Sequence, residues 1–255
     1  MTSLAQHADR LLSLHRQDHP VVLPTVWDPW SATAIVDAGF AAITVGSHPL
    51  ADALGRSDGE DLDLAEALEV VKRITDAVDV PVSADLESGY DTPAEELVDR
   101  LLEAGAVGVN IEDTVHSEGR LRGAQEHADY IAAVRQRADE TGVHVVVNGR
   151  TDVFKTTQPI EDRLGEAIHR LTLMEQAGAD SLYPVALPDE ATLVQILQAV
   201  NTPLNVTAHP VDGAVPAGLS LAELTGLGVR RVTFGPLLQA ALTDHIATSL
   251  ARWRA

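Results

Sequence analysis

Two hydrophobic periodicities alternate along this chain. Short β-rich runs occupy residues 21–27, 42–46, 80–87, 108–113, 144–152, 181–186, 204–208 and 230–235. Between them lie amphipathic segments at 31–38, 62–77, 93–104, 125–141, 160–177, 190–200 and 220–225, and a last one at 236–254. The spacing predicts strands for the first set and helices for the second. Pro93 after Asp91-Thr92 and Pro188 before Asp189-Glu190 are helix-start signals. Several helices end in one punctuation, as in Asp37-Ala38-Gly39-Phe40, Glu103-Ala104-Gly105-Ala106 and Gln176-Ala177-Gly178-Ala179. Glycine there closes a helix in the left-handed conformation and turns the chain into the next strand. Eight such units predict an α/β fold of the (βα)8 TIM-barrel type, with an open doubly wound sheet as the alternative.

No linker or composition break divides the chain, so residues 1–255 are expected to form a single barrel domain. The first nineteen residues read as an amphipathic helix interrupted by His7, Asp9, Arg10, His15 and Arg16, not as a signal peptide. No apolar run reaches membrane-spanning length.

Composition narrows the chemistry. Hydrophobic residues make up 45% and charged residues 22%, as in an ordinary globular enzyme. The net charge of −20 disfavours nucleic acid and anionic membranes as partners. A small anionic substrate remains compatible where arginines and a cation invert the potential locally. The chain has no cysteine, which removes disulfides, thiolate–metal sites and a cysteine acid, and fits a cytoplasmic location. Only Lys72 and Lys155 occur, so a Schiff-base mechanism is disfavoured. No Gly-x-Gly-x-x-Gly or Walker loop speaks for a nucleotide, and the histidines show no zinc spacing.

Five acidic residues sit where strands are expected to run out: Asp58, Asp85, Glu87, Glu112 and Asp152. In a barrel those ends carry the active site. Carboxylates gathered there repel one another unless a cation lies among them. Asp85 and Glu87, two apart on a strand, are expected to face one side with Leu86 opposite. Hard oxygen donors so arranged suit Mg²⁺, with Mn²⁺ as a substitute. Arg150, in Asn148-Gly149-Arg150-Thr151-Asp152, offers a planar fork to a carboxylate or phosphonate, or pairs structurally with Asp152 or Glu112. The turn Gly46-Ser47-His48-Pro49 can receive an oxyanion, or is a turn without function.

These motifs, in this order, resemble the isocitrate lyase/phosphoenolpyruvate mutase superfamily from Leu23-Pro24 to Gly235-Pro236. The most specific are Gly46-Ser47, Leu54-Gly55-Arg56-Ser57-Asp58, Asp85-x-Glu87-x-Gly89-Tyr90, Ile111-Glu112-Asp113 and Asn148-Gly149-Arg150-Thr151-Asp152. The resemblance implies a (βα)8 barrel that assembles as a homo-oligomer with swapped C-terminal helices. It also implies Mg²⁺ held directly or through water by Asp58, Asp85, Glu87 and Glu112. Small 2-oxo or 2-hydroxy carboxylates, or related phosphonates, are the implied substrates. Ser47, with Gly46 and His48 beside it, would take the substrate carboxylate; Arg150 would bind the same anion or the leaving group; Trp27 and Asn205 would line the pocket.

The departures concern the gating loop. Where the lyase branch has a cysteine, this chain reads Thr114-Val115-His116-Ser117-Glu118-Gly119-Arg120-Leu121-Arg122-Gly123. The lysine and asparagine of the phosphonate branch are absent too, and strand six reads Tyr183-Pro184-Val185-Ala186 where the lyase branch has a glutamate. His116 and Arg122 are therefore the gate's candidates for a catalytic role, with Arg120 or Arg122 expected on the bound anion. The reading is a Mg²⁺-dependent enzyme that cleaves a C–C bond through an enolate-like intermediate. The alternatives are mutase or C–P hydrolase chemistry on a phosphonopyruvate-like acid, and a metabolite-binding barrel without catalysis.

Overall fold

The computed structural model describes residues 2–215 and 217–254. Eight parallel strands form the wall: β1 (Val21–Leu23 and Thr25–Val26), β2 (Ile43–Val45), β3 (Val82–Asp85), β4 (Gly108–Ile111), β5 (Val146–Thr151), β6 (Ser181–Pro184), β7 (Asn205–His209) and β8 (Arg231–Thr233). Pro24 splits β1 into two pieces with different neighbours. Val21–Leu23 pairs with β8, and Thr25–Val26 with β2. Lacking an N–H, proline belongs where a strand changes partner. The ladder then runs β2–β3–β4–β5–β6, a Leu182–Leu204 bridge joins β6 to β7, and β7 pairs with β8. The sheet closes on itself, which rules out the doubly wound alternative.

Helices α1 (Leu4–His15), α2 (Pro29–Asp37), α3 (Ser47–Ala53), α4 (Leu64–Ala77), α5 (Ala94–Glu103), α6 (Ala124–Thr141), α7 (Arg163–Gln176), α8 (Glu190–Ala199), α9 (Leu221–Leu227) and α10 (Leu237–Leu250) accompany the strands. Capping boxes at Ser3, Asp28, Asp63 and Ser220 start α1, α2, α4 and α9. Outward-facing strand residues such as Val82, Val109, Ile111 and Val147 join Leu68, Val71, Leu97, Leu101, Ile131 and Leu171 of the helices in one apolar shell. A second cluster, with Ala8 and Leu11 of α1 against Val21, Leu23, Ala42, Val107 and Val146, plugs the amino-terminal end of the barrel. The plug needs Gly108, since a Cβ there would stand 2.8 Å from Leu11 Cδ2 and 3.0 Å from Ser83 Cβ.

The sequence pattern differs from the structure in two places that matter. The Ser47 turn is the first turn of α3, and the 114–123 stretch is a β-hairpin pairing Thr114–Val115 with Arg120–Leu121. Among the described residues no helix is long and apolar enough to cross a membrane.

Candidate active site

At the carboxyl ends of the strands the barrel holds a cavity of about 240 Å³. Its wall is unusually polar for a barrel interior, where branched aliphatics normally dominate: Thr25, Thr44, Asp85, Asn110, Asn148, Arg150, Tyr183, Asn205 and Thr233 all reach it. The start of α3 adds Gly46, Ser47 and His48, and loops add Asp58 and Lys155.

Arg150 organises the carboxylates. The last turn of β5 leaves its guanidinium buried, with Nε 2.7 Å from Asp152 Oδ1 and Nη2 donating to Asp152 Oδ2 at 3.0 Å. Nη1 lies 2.6 Å from Glu112 Oε2 and 3.6 Å from Asp85 Oδ2. Burial works against the charge, but Glu112, Asp152 and Asp85 together raise the Arg150 pKa well above its ordinary value. Burial likewise pushes Asp152 up, yet Arg150 outweighs it and the carboxyl ends below its usual range. Asp152 is thus the orienting partner of Arg150, as a two-point arginine–carboxylate fork requires.

Asp85 closes β3. Its Oδ1 accepts from Asn110 Nδ2 at 2.9 Å and from the Glu87 amide at 3.2 Å, leaving Oδ2 toward Arg150 and the cavity. Burial raises its pKa against the pull of Arg150. Strand alternation misplaces Glu87. The strand stops at Asp85, and Glu87 adopts a left-handed φ of 49° that turns it away from Asp85's side. Its Oε2 accepts from the Glu60 amide at 2.6 Å and its Oε1 from Tyr90 Oη at 3.2 Å. Burial first, then Asp58, Asp85 and Glu112, push the Glu87 carboxyl up to about 7. Glu60 fastens the same turn by accepting from Ser88 Oγ at 2.6 Å and from the Tyr90 amide at 3.0 Å.

Asp58 follows α3 in a loop, not a strand end, and reaches the mouth because two side chains hold it there. Ser47 Oγ donates to its Oδ1 at 3.1 Å, and His48 Nδ1 lies 3.4 Å from its Oδ2. Gly46 caps α3, and a Cβ there would meet Thr25 Cγ2 at 2.5 Å and Pro49 Cγ at 2.9 Å.

Four residues need correction. Trp27 is buried in the apolar shell behind β1 and does not line the cavity. Arg122 turns away from the cavity into a half-buried niche, its Nη2 donating to the Ser88 carbonyl at 3.3 Å and its guanidinium 5.3 Å above the Tyr130 ring. Arg120 is turned to Glu118 on the exposed edge of the hairpin. The hairpin's backbone sends these arginines away from the bound anion's place. His116 stands behind the cavity wall, its Nε2 2.8 Å from Glu112 Oε1, off the hydrogen-bonding axis, and 3.4 Å from Glu87 Oε2. Sequence reasoning missed Tyr183, whose ring lies 5.9 Å from the Arg150 guanidinium, and Lys155, 3.4 Å from Asp152 Oδ2. It also missed Asn110 and Asn148, which the period-two pattern of β4 and β5 could have placed inward with Glu112 and Arg150.

The donor set bears on a metal. Among the described residues no three His, Asp or Glu side chains converge as ligands. Asp58 and Asp85 reach the cavity, while Glu87 and Glu112 are engaged behind it. That arrangement fits a Mg²⁺ that keeps most of its water and takes one or two carboxylates. It does not fit a four-carboxylate cage.

Comparison with known proteins gives the family. The family model described as phosphoenolpyruvate phosphomutase matches residues 11–253. The chain belongs to that family. It is therefore an enzyme of the phosphoenolpyruvate mutase/isocitrate lyase superfamily, whose members include lyases, oxaloacetate decarboxylases and phosphonomutases. It is 30% identical to the oxaloacetate decarboxylase of Paraburkholderia xenovorans over 242 residues, 91% of this chain and 78% of that one. A Burkholderia cenocepacia crystal structure superposes with a TM-score of 0.85 at 37% identity, covering 96% of this chain and 99% of that one. The structure of 2,3-dimethylmalate lyase gives a TM-score of 0.82 at 25% identity, covering 99% and 86%.

Proposed function

We propose that this enzyme cleaves a C–C bond in a small 2-oxo or 2-hydroxy carboxylate, in the manner of a lyase or decarboxylase, and depends on Mg²⁺. The observation that carries the reading is the pairing of an anion receptor with a carboxylate on one cavity wall. The Arg150 guanidinium and the first turn of α3 with Gly46, Ser47 and His48 line the space that Asp85 and Asp58 also border. Asp85 and Asp58 would hold the hydrated cation, which would supply Lewis-acid withdrawal of charge from the substrate's 2-oxygen.

The remaining work falls to the protein's own groups. Arg150, kept charged by Glu112 and Asp152, binds and orients the substrate carboxylate. Ser47 Oγ is held by Asp58 at the mouth, where it can turn its hydrogen bond to an arriving oxyanion. Asn110, hydrogen-bonded to Asp85, fixes that carboxylate's direction. The 114–121 hairpin covers the Glu112 side and limits water, with Thr114 Oγ1 donating to Asp152 at 2.9 Å. A donor pointed at forming negative charge contributes roughly 3 kcal/mol in comparable sites. We place the enzyme in the cytoplasm, as a homo-oligomer.

The test is direct. Purified protein with Mg²⁺ is mixed with oxaloacetate, phosphonopyruvate and 2-methylmalate, and pyruvate release is followed. Turnover of oxaloacetate or 2-methylmalate is expected. Turnover of phosphonopyruvate alone would move the reaction to C–P chemistry, and no turnover of any with Mg²⁺ bound would sink the catalytic reading.

A further inference from the structure

The barrel contains a second buried arginine that the proposed chemistry does not use. Arg231 opens β8, in register with Asn205 at the start of β7 and Val21 at the start of β1. Arg150, by contrast, is the fifth residue of β5. The two guanidinium groups therefore belong to opposite ends of the same cavity, and both line it.

Their surroundings differ in kind. Arg150 meets three carboxylates. Arg231, only 1% exposed, has none among the described residues. Its Nη1 is 3.3 Å from His15 Nε2, its Nη2 is 3.4 Å from Ser83 Oγ, and its Nε has no partner. His15 supplies a lone pair but no charge. Its Nδ1 donates to the Leu11 carbonyl at 2.8 Å, and burial, then Arg231, lower its pKa to about 4. Burial pulls Arg231 itself down to about 10, and the more distant Tyr183 and Asp85 offset only part of that pull. A buried charge without a counter-charge costs several kcal/mol. Tethering α1 to the barrel needs only a hydrogen bond, which an uncharged side chain would give more cheaply. The positive charge at the bottom of the cavity calls for an anion from outside the chain.

Size points the same way. At about 30 Å³ per water, the cavity holds the volume of roughly eight waters. A carboxylate with its 2-oxygen fills only the upper part, beside Ser47 and Arg150.

We propose that Arg231 receives a second anionic group of the substrate, so that the enzyme takes a small diacid whose reacting carboxylate sits at Arg150 and whose distal carboxylate points down the barrel axis. The inference rests on the carboxylate-processing reading above, whose test acids are already diacids, and adds the residue that reads the second carboxylate. Specificity then comes from the distance between two fixed guanidinium groups, and a monoacid with the same reacting end leaves the lower charge unanswered.

The experiment is titration calorimetry with Mg²⁺, using oxalate, the 2-hydroxy diacids of four, five and six carbons, and monoacids in which a methyl replaces the distal carboxylate. At least one diacid should bind tenfold or more tighter than its matched monoacid. Arg231→Met should erase that preference while leaving oxalate and monoacid affinities within twofold. Arg231→Lys, which keeps the charge and serves if the Met variant does not fold, should retain part of it. Equal binding of every pair by the natural protein overturns the inference, as does an undiminished preference in folded Arg231→Met. Failure of oxalate itself to bind would instead remove the underlying reading, and the inference with it.

Discussion

Arg150 and Arg231 are chemically identical and buried alike, yet one meets three carboxylates and the other meets none within ion-pair distance among the described residues. Removing Arg150 would strand Glu112, Asp152 and Asp85 against one another. Arg150→Met is expected to destabilise the fold by about 3–5 kcal/mol, the usual cost of leaving buried charges unpaired. Arg150→Lys keeps the charge but loses the fork to Asp152, so it should recover most of the stability while substrate affinity falls at least tenfold. Denaturant unfolding and substrate titration of both variants check this, and equal stability of Arg150→Met and the natural protein would refute the organising role. His127 provides a second residue-scale test. Burial first, then Arg122 and Arg170, push its pKa down to about 3 from 6.5. The unfolded chain takes up a proton below pH 6.5 that the folded chain refuses. The residue's contribution is therefore present at neutral pH and drains away toward pH 3, at roughly 1.4 kcal/mol per pH unit. Against His127→Gln, which cannot titrate, the natural protein should lose roughly 2–3 kcal/mol of relative stability between about pH 6.5 and 4.5. Parallel pH profiles of unfolding free energy would contradict it. At this scale Asp85 and Arg150 were legible, because alternation within β3 and β5 turns both side chains toward the cavity. Trp27, Glu87 and Arg122 were not, because each sits where the backbone has left the strand and direction depends on local φ and ψ.

Elements were easier to read than their edges. Strong amphipathic segments such as α4 and α5 carry their own apolar stripes, and α4 its own capping box, so their existence follows from local pattern alone. The seven-residue α3 has no side-chain cap and too few turns to show a period, which is why a turn was expected there. The hairpin's two-residue strands are equally short of pattern. Yet α3 decides the shape of the mouth, since it carries Ser47 and His48 to Asp58. Gly46→Ala should therefore act on the element, not only on a residue. The added Cβ would stand 2.5 Å from Thr25 Cγ2 and 2.9 Å from Pro49 Cγ, forcing α3 outward. A loss of about 1–3 kcal/mol is expected from such overpacking, together with weaker oxalate binding. Thermal unfolding with and without oxalate would reveal it, and an unchanged midpoint with unchanged affinity would show that α3 is free to shift.

Across the whole molecule, burial is uneven in a way that the barrel alone does not explain. Nearly every helix presents buried residues to the shell, but α10 has none, although most of its residues between Leu237 and Leu250 are apolar or small. Leu242, Ile246 and Leu250 are exposed, and Trp253 beyond them is 74% exposed. The helix is tied to the barrel near its start, where Gln239 donates to the Pro49 carbonyl at 3.0 Å. With a net charge of −20, long-range repulsion between copies opposes association, so an interface here must be held by apolar contact. A second copy of the chain covering α10 satisfies both conditions, because Leu242, Ile246 and Leu250 lie on a helix of 14 residues that carries one carboxylate and no lysine or arginine. Ile246→Lys with Leu250→Lys is expected to shift sedimentation from an oligomer to a monomer while leaving the barrel's unfolding midpoint close to that of the dissociated natural chain. Raised salt should strengthen assembly of the natural protein by screening its like charges. Monomeric sedimentation of the natural chain at every salt concentration would show that α10 stays uncovered, and the apolar stretch would then need another explanation.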